Sequence, residues 1–417
     1  MENTKSKRSL MNNTLSLFLG NGMGAVLSFA LIVILGRALG ASGLGTYSTA
    51  LAWVYPITLL AEFGLNTLML RDITQDLTKT PTYIRHLLQL RVMIAVPCML
   101  LLVFIASQVS DNLALQTCLL ISAPLVLILP LFGMYSNVFR AYEQMALVGL
   151  LNFGMLLTQV IFAYLAWTNN QDVTQFALLN TLTSLAQLMV AIGIYHTQFA
   201  PLNSTSKREI FNRMVFMRRA LPFAIGGILA VIQTRLAIIL VERLVSPTEA
   251  GYFVVALRFL DVIRLLPMAH YDAIFPRLSS LLDQPKVTDA IVWRSGAWLL
   301  LYSIVATAIT LIIAPQVVEW VFGSEYQETV RLLAILGMGI TPIVLRGLLN
   351  TWAYATDKEM LANGVALAYI VLLGITFLAF WGETFVVTQR LAVGLIVTES
   401  LIFLLLLIIF LVKPRPR

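Results

Sequence analysis

The sequence predicts an all-α polytopic membrane protein: about twelve transmembrane helices in two parallel six-helix bundles, a 6+6 repeat around a central cavity. Three observations predict it. Of 417 residues, 59% are apolar and only 12% charged, against about 45–50% and about 25% in soluble domains. The charges gather in short segments between apolar runs of spanning length, and the first half of the chain aligns with the second at a constant offset. No Ser/Gly/Pro-rich linker divides the chain as it would a soluble protein of this length.

A spanning helix needs roughly 20 mostly apolar residues. Twelve runs of that kind, bounded by charge, Pro, Asn or Gly clusters, occupy 14–36, 44–70, 87–107, 113–139, 145–167, 173–196, 220–242, 249–276, 295–315, 328–355, 360–381 and 388–412. Lys5, Lys7 and Arg8 ahead of the first run imitate a signal peptide. That run is longer than a signal h-region, and Arg37 stands where a small-residue cleavage site belongs, so it is expected to be retained as the first span.

Lys and Arg in short loops stay on the cytoplasmic side. Nineteen of the 28 basic residues fall on one side: Lys5, Lys7, Arg8; Arg71, Lys79, Arg85; Arg140; Lys207, Arg208, Arg213, Arg218, Arg219; Arg277, Lys286, Arg294; Lys358; Lys413, Arg415 and Arg417. The other side holds only Arg37, Arg243, Arg331 and Arg390. Both termini are therefore expected in the cytoplasm. The net charge of +7 reports this topology, and no nucleic-acid partner is expected. Arg91, Arg235, Arg258, Arg264 and Arg346 fall inside spans.

A shift of 206 aligns Leu15 with Leu221, Gly20 with Gly226, Arg37 with Arg243, Gly45 with Gly251, Ala50 with Ala256 and Arg71 with Arg277. Later the shift grows to about 214, where Ala141-Tyr142-Glu143-Gln144 sits opposite Ala355-Thr356-Asp357-Lys358. The predicted division is an N-terminal lobe 1–200, a basic cytoplasmic linker 201–219 and a C-terminal lobe 220–417. Six spans per lobe give both repeats the same orientation. Such a pair encloses a cavity that rocking opens to either face, the geometry of a secondary transporter. The linker's basic residues alternate with Ile210, Phe211, Met214, Val215, Phe216 and Met217, which suits either an interfacial helix against anionic lipid or a plain cytoplasmic connection.

Several chemistries find no support. The chain has no G-x-x-x-x-G-K-[ST] loop, so an ion gradient or the membrane potential would drive any transport. It has no H-E-x-x-H, C-x-x-C or G-x-S-x-G, and only three histidines, so neither a metal site nor a catalytic residue is expected, and no cofactor. Cys98 and Cys118 lie in apolar runs, where packing rather than a disulfide is expected.

Gly36-Arg37-Ala38-Leu39-Gly40, Gly43, Gly45-Thr46-Tyr47, Ala50, Phe63-Gly64-Leu65 and Arg71-Asp72-Ile73 form a distinctive N-terminal set. Ala250-Gly251-Tyr252, Ala256, Phe275-Pro276-Arg277-Leu278 and Phe322-Gly323-Ser324-Glu325-Tyr326 follow in the second half. Together they resemble the polysaccharide transporters, the Wzx-type flippases of the multidrug/oligosaccharidyl-lipid/polysaccharide exporter superfamily. The resemblance implies flipping of an undecaprenyl-pyrophosphate-linked oligosaccharide, such as an O-antigen or exopolysaccharide repeat, from the cytoplasmic to the periplasmic leaflet of a bacterial inner membrane. Lipid-linked oligosaccharide and membrane lipid are the implied partners, with a polysaccharide polymerase and a chain-length regulator as candidate protein partners. A monomer suffices, since each chain encloses its own path. The chain is short for the fourteen-span lipid II flippases. The alternatives are a multidrug or small-molecule antiporter of the same superfamily, which would favour an acidic cavity for cationic drugs, and a polysaccharide polymerase or ligase. An enzyme of that kind needs a large external loop, whereas Ser107–Asn112 and Trp167–Asp172 are short.

An ionisable group at mid-bilayer costs at least about 2.5–3.5 kcal/mol, so each is expected to face a partner or a wet cavity. Arg91 lies about one turn inside its span, where snorkelling to the headgroups is expected. Arg235, Arg258, Arg264 and Arg346 lie deeper, all assigned to the C-terminal lobe. Arg258, Asp261 and Arg264 are three residues apart, so Asp261 is flanked by two arginines. Asp272 returns near the Asp261 face unless Pro267 bends the helix. With so few carboxylates, Arg235, Arg258, Arg264 and Arg346 form the expected pyrophosphate site, because guanidinium binds phosphate oxygens bidentately and stays ionised. The alternative is that they only pair helices. Glu62 and Glu399, with Asp261 and Asp272, are candidate coupling-ion groups or static counter-ions, the latter facing arginines across the lobe interface. His270 is expected to be a packed polar residue.

Overall fold

A computed structural model describes residues 2–109, 112–169, 171–199, 212–281, 284–356, 359–379 and 387–412; among them no strand occurs. Of the basic linker 201–219, the part before Asn212 lies outside the described residues, as do Lys358, Lys413, Arg415, Arg417 and the side chains of Lys5, Lys7 and Arg8. The elements are α1 (Glu2–Glu62), α2 (Leu65–Gln75), α3 (Thr80–Val109), α4 (Leu113–Ser122), α5 (Leu125–Ala141), α6 (Met145–Thr168), α7 (Val173–Ile194), α8 (Arg213–Leu244), α9 (Pro247–Ser279), α10 (Pro285–Phe322), α11 (Gln327–Met338), α12 (Ile340–Ala355), α13 (Glu359–Ala379) and α14 (Val387–Val412). Each of the twelve expected runs falls on helix, and the chain is an all-α polytopic membrane protein.

Helices and spans do not correspond one to one. By length and apolarity, eight helical stretches among the described residues can cross a bilayer. A ninth is the pair Ser324–Met338 and Ile340–Ala355, bent by 48°. The first stretch, Gly22–Glu62, carries two expected spans, parted where Gly40 takes φ 65° and ψ −178°, a conformation that a Cβ would oppose. The shift of 206 carries Gly40 onto Ser246, whose side chain accepts from the Glu249 N–H at 3.2 Å and caps α9. The repeat thus places a helix break at the same point of each half. The fourth and tenth spans are each two helices, α4/α5 and α11/α12. α9 is too charged to count among the eight stretches, because Arg258, Asp261, Arg264 and Asp272 sit in it.

Local signals set the helix starts. Asn112 accepts from the Ala114 and Leu115 N–H groups, Asp172 from Gln175 and Asn212 from Met214 and Val215, so each satisfies donors that a first turn leaves open. Outward faces carry large apolar side chains, Leu100 at 65% and Ile312 at 70% exposure among them, as lipid contact requires.

The chain divides into two compact units, Met1–Arg235 and Leu236–Arg417. In the first, a core that includes Leu68, Met69, Leu87, Met134 and Phe139 also takes in Phe216 and Ala220, so the start of α8 packs with the N-terminal helices. Amides join α6 to α7: Gln159 Nε2 donates to Asn180 and Thr183, each at 2.9 Å, and Gln187 Nε2 to Asn152 at 2.9 Å. Such bonds hold helices together in lipid, where apolar burial drives little association.

Candidate functional site

In the second unit, charged and aromatic groups from α9, α12, α13 and α14 converge. Arg258 Nη1 lies 3.4 Å from Asp261 Oδ2, and Arg264 Nη1 lies 4.0 Å from Asp261 Oδ1. Asp261 is 52% exposed, so each contact is worth at most about 1 kcal/mol. Arg346 and Glu399 form a tighter pair: Nε donates to Oε2 at 2.5 Å and Nη2 to Oε1 at 3.2 Å. The Arg346 guanidinium lies 5.7 Å from the Tyr369 ring centroid. Arg264 and Arg346 both interact electrostatically with Tyr271 and Tyr369. Tyr271 Oη donates to the Val344 carbonyl at 2.5 Å, and its ring rests on Gly347, where a Cβ would come within 2.7 Å of it. That missing Cβ lets α9 and α12 approach closely.

Arg264 holds the spare capacity. Its Nε is buried and has no hydrogen bond among the described residues. Arg258, Arg264 and Arg346 share two carboxylates, Asp261 and Glu399, so one positive charge is in excess. The chemistry on offer is planar, multidentate donation to an anion.

Other expected site residues lie elsewhere. Arg235 ends the first unit, and its guanidinium sits over Tyr55, 4.7 Å from the ring centroid. This cation–π stacking places it with the N-terminal helices, because the first part of α8 packs there. Asp272 stays on a helix continuous through Pro267 and makes no ion pair or hydrogen bond among the described residues. Glu399 pairs with Arg346 of its own unit, whereas the counter-ion alternative placed its arginine across the lobes. His270 packs on Trp298, with ring centroids 5.1 Å apart.

Arg91 corrects the sequence reading most. It does not snorkel: it is fully buried, and its Nη2 donates to Asn66 Oδ1 at 2.5 Å. Asn66 Nδ2 reaches the Pro130 carbonyl at 3.4 Å, and Asn137 Nδ2 donates to the Asn66 carbonyl at 2.9 Å. Glu62 interacts with Arg91 by charge and with the Asn66 side chain. The chain breaks just here, with φ 51° at Phe63 and φ 66° at Gly64, and a Cβ at Gly133 would lie 2.4 Å from Asn66 Nδ2. Asn66 went unnoticed in the sequence, although an amide one residue beyond the Phe63-Gly64-Leu65 break was a visible signal.

A sequence model of the family described as polysaccharide biosynthesis protein matches residues 10–282. The capsular polysaccharide biosynthesis protein CapF of Staphylococcus aureus is 21% identical over 356 residues, 84% of this chain and 86% of that protein. Among solved structures, an inward-facing multidrug resistance MATE family transporter of the MOP superfamily is similar with TM-score 0.81 at 9% identity, over 94% of each chain. The lipid II flippase MurJ, inward closed, is similar with TM-score 0.73 at 14% identity, over 97% of this chain and 88% of that one. At such identities the likeness shows the fold, and the substrates of those proteins stay their own.

Proposed function

Because this chain belongs to the polysaccharide biosynthesis protein family, we propose that it is a flippase for an undecaprenyl-pyrophosphate-linked oligosaccharide. It works by alternating access, coupled to an ion gradient, as a monomer in a bacterial inner membrane. Both termini are cytoplasmic, and a polymerase and chain-length regulator act on its product. The observation that carries this reading is the local excess of guanidinium in the Arg258, Arg264 and Arg346 cluster, with a buried Nε on Arg264 that has no hydrogen bond among the described residues. Pyrophosphate is the part common to every such substrate, and guanidinium matches its oxygens and stays protonated in any setting. The multidrug antiporter reading shares the fold, but a cationic drug calls for surplus carboxylate, and the excess here has the opposite sign. A polymerase or ligase would need a substantial external loop to hold its acceptor, and the segments Ser107–Asn112 and Trp167–Asp172 are short.

In a host deleted for its own flippase, Arg264→Ala, with membrane level matched to wild type, is expected to lower surface polysaccharide at least about tenfold, the loss of one charge-assisted contact. Full flipping by Arg235→Ala, Arg258→Ala, Arg264→Ala and Arg346→Ala, each tested singly, would remove the reading. Glu62 and Glu399 are the proposed coupling or counter-ion groups. Transport that stays pH-dependent in both Glu62→Gln and Glu399→Gln would place the coupling at another group.

A further inference from the structure

We infer that a cationic patch where α3 meets the first turn of α8 binds the phosphodiester headgroup of an anionic phospholipid. Arg85, His86 and Gln89 come from α3 and Arg213 from α8, all in the first unit. Arg213 Nη2 donates to Gln89 Oε1, and Arg85 and Arg213 both act electrostatically on His86. Among the described residues, Arg85 has neither ion pair nor hydrogen bond, and Arg213 has no carboxylate partner. Two carboxylates at this end are already engaged: Asp72 accepts from Tyr83 Oη at 2.7 Å and from Arg219 Nη2 at 2.8 Å, and Asp76 accepts from the Thr78 N–H and hydroxyl and lies 3.8 Å from Lys79 Nζ. The junction is fixed by Tyr83 packing edge-on against Phe216, with ring centroids 5.4 Å apart, and by Asn212 capping α8. Two guanidiniums thus act on His86 with no carboxylate among the described residues paired to either.

The neighbouring surface identifies the source of the phosphate. Arg85, Leu88 and Val92 follow one face of α3 at helical spacing. Leu88 is 41%, Val92 43%, Met93 63%, Met214 63% and Val215 52% exposed. A charged end above an apolar stripe matches a lipid, whose headgroup meets the arginines while its acyl chains lie along the stripe; free phosphate has no use for the stripe. Basic pockets at the cytoplasmic ends of spans take anionic headgroups in this way. The inference does not rest on the flippase reading, because its test measures lipid retention and not transport.

The test is native mass spectrometry of the full-length protein in neutral detergent, offered phosphatidylglycerol, phosphatidylcholine or inorganic phosphate. Wild type is expected to retain phosphatidylglycerol over phosphatidylcholine. Arg85→Gln/Arg213→Gln should lose that retention about thirtyfold, equivalent to about 1 kcal/mol for each charge removed. The charge-matched control Arg140→Gln/Arg218→Gln should stay within about twofold of wild type. If the double variant is not monodisperse, Arg85→Gln alone carries the test, since Arg85 makes no hydrogen bond or ion pair among the described residues and should lose about fivefold. Equal retention of the two lipids, an equal loss in the control, or displacement of bound lipid by inorganic phosphate would overturn the inference.

Discussion

Arg91→Leu is expected to destabilise the protein by about 3 kcal/mol, the cost of leaving a buried amide oxygen without its charged donor and a nearby carboxylate without its opposite charge. Glu62 would lose its cationic partner, and Asn66 would lose the donor that reaches it at 2.5 Å. The measurement is thermal unfolding of the purified protein in detergent, alongside its level in membranes. Glu62→Gln/Arg91→Leu should recover much of the loss, because the stranded charge is then gone. Unfolding of Arg91→Leu at the wild-type temperature would show that Arg91 is not held by this network.

Glu399→Leu should have an effect of similar size, about 3–5 kcal/mol, by stranding the Arg346 guanidinium inside the second unit. Here the double variant separates stability from function. Arg346→Leu/Glu399→Leu replaces a buried pair by apolar side chains, a change that is often neutral or stabilising. It is expected to unfold close to wild type and yet to flip poorly, because Arg346 stands beside Arg264 and Tyr369 in the proposed anion site. A double variant that is stable and fully active would make the pair a structural tie only.

The spans were legible because hydrocarbon tolerates only internally bonded backbone, so apolar length reports each helix directly. The repeat was legible from identities such as Arg37 with Arg243 and Gly45 with Gly251, and the structure adds that Gly40 and Ser246, related by the same shift, both stand at helix breaks. The breaks within the fourth and tenth spans were not legible, since Ala123 and Gly339 interrupt apolar runs without any charge. Among site residues, the Arg258, Asp261 and Arg264 spacing follows from helix geometry alone, and the structure shows those contacts. Arg91 was misread because depth along a span does not reveal whether a side chain points to lipid or to a neighbouring amide. Arg235 was grouped with the second lobe because sequence offers no sign that part of α8 packs with the first unit. Tyr271 and Tyr369 carried no signal, since an aromatic residue in an apolar run reads as packing.

The account's central claim is that the excess guanidinium of the Arg258, Arg264 and Arg346 cluster receives pyrophosphate. Its most direct test is the affinity of the purified protein for undecaprenyl-pyrophosphate-linked oligosaccharide against an undecaprenol-linked oligosaccharide lacking phosphate. The account predicts that wild type prefers the pyrophosphate form by at least about tenfold, that Arg264→Ala abolishes the preference, and that Arg264→Lys restores it in part. Equal affinity for the two lipids, or an undiminished preference in Arg264→Ala, would contradict it.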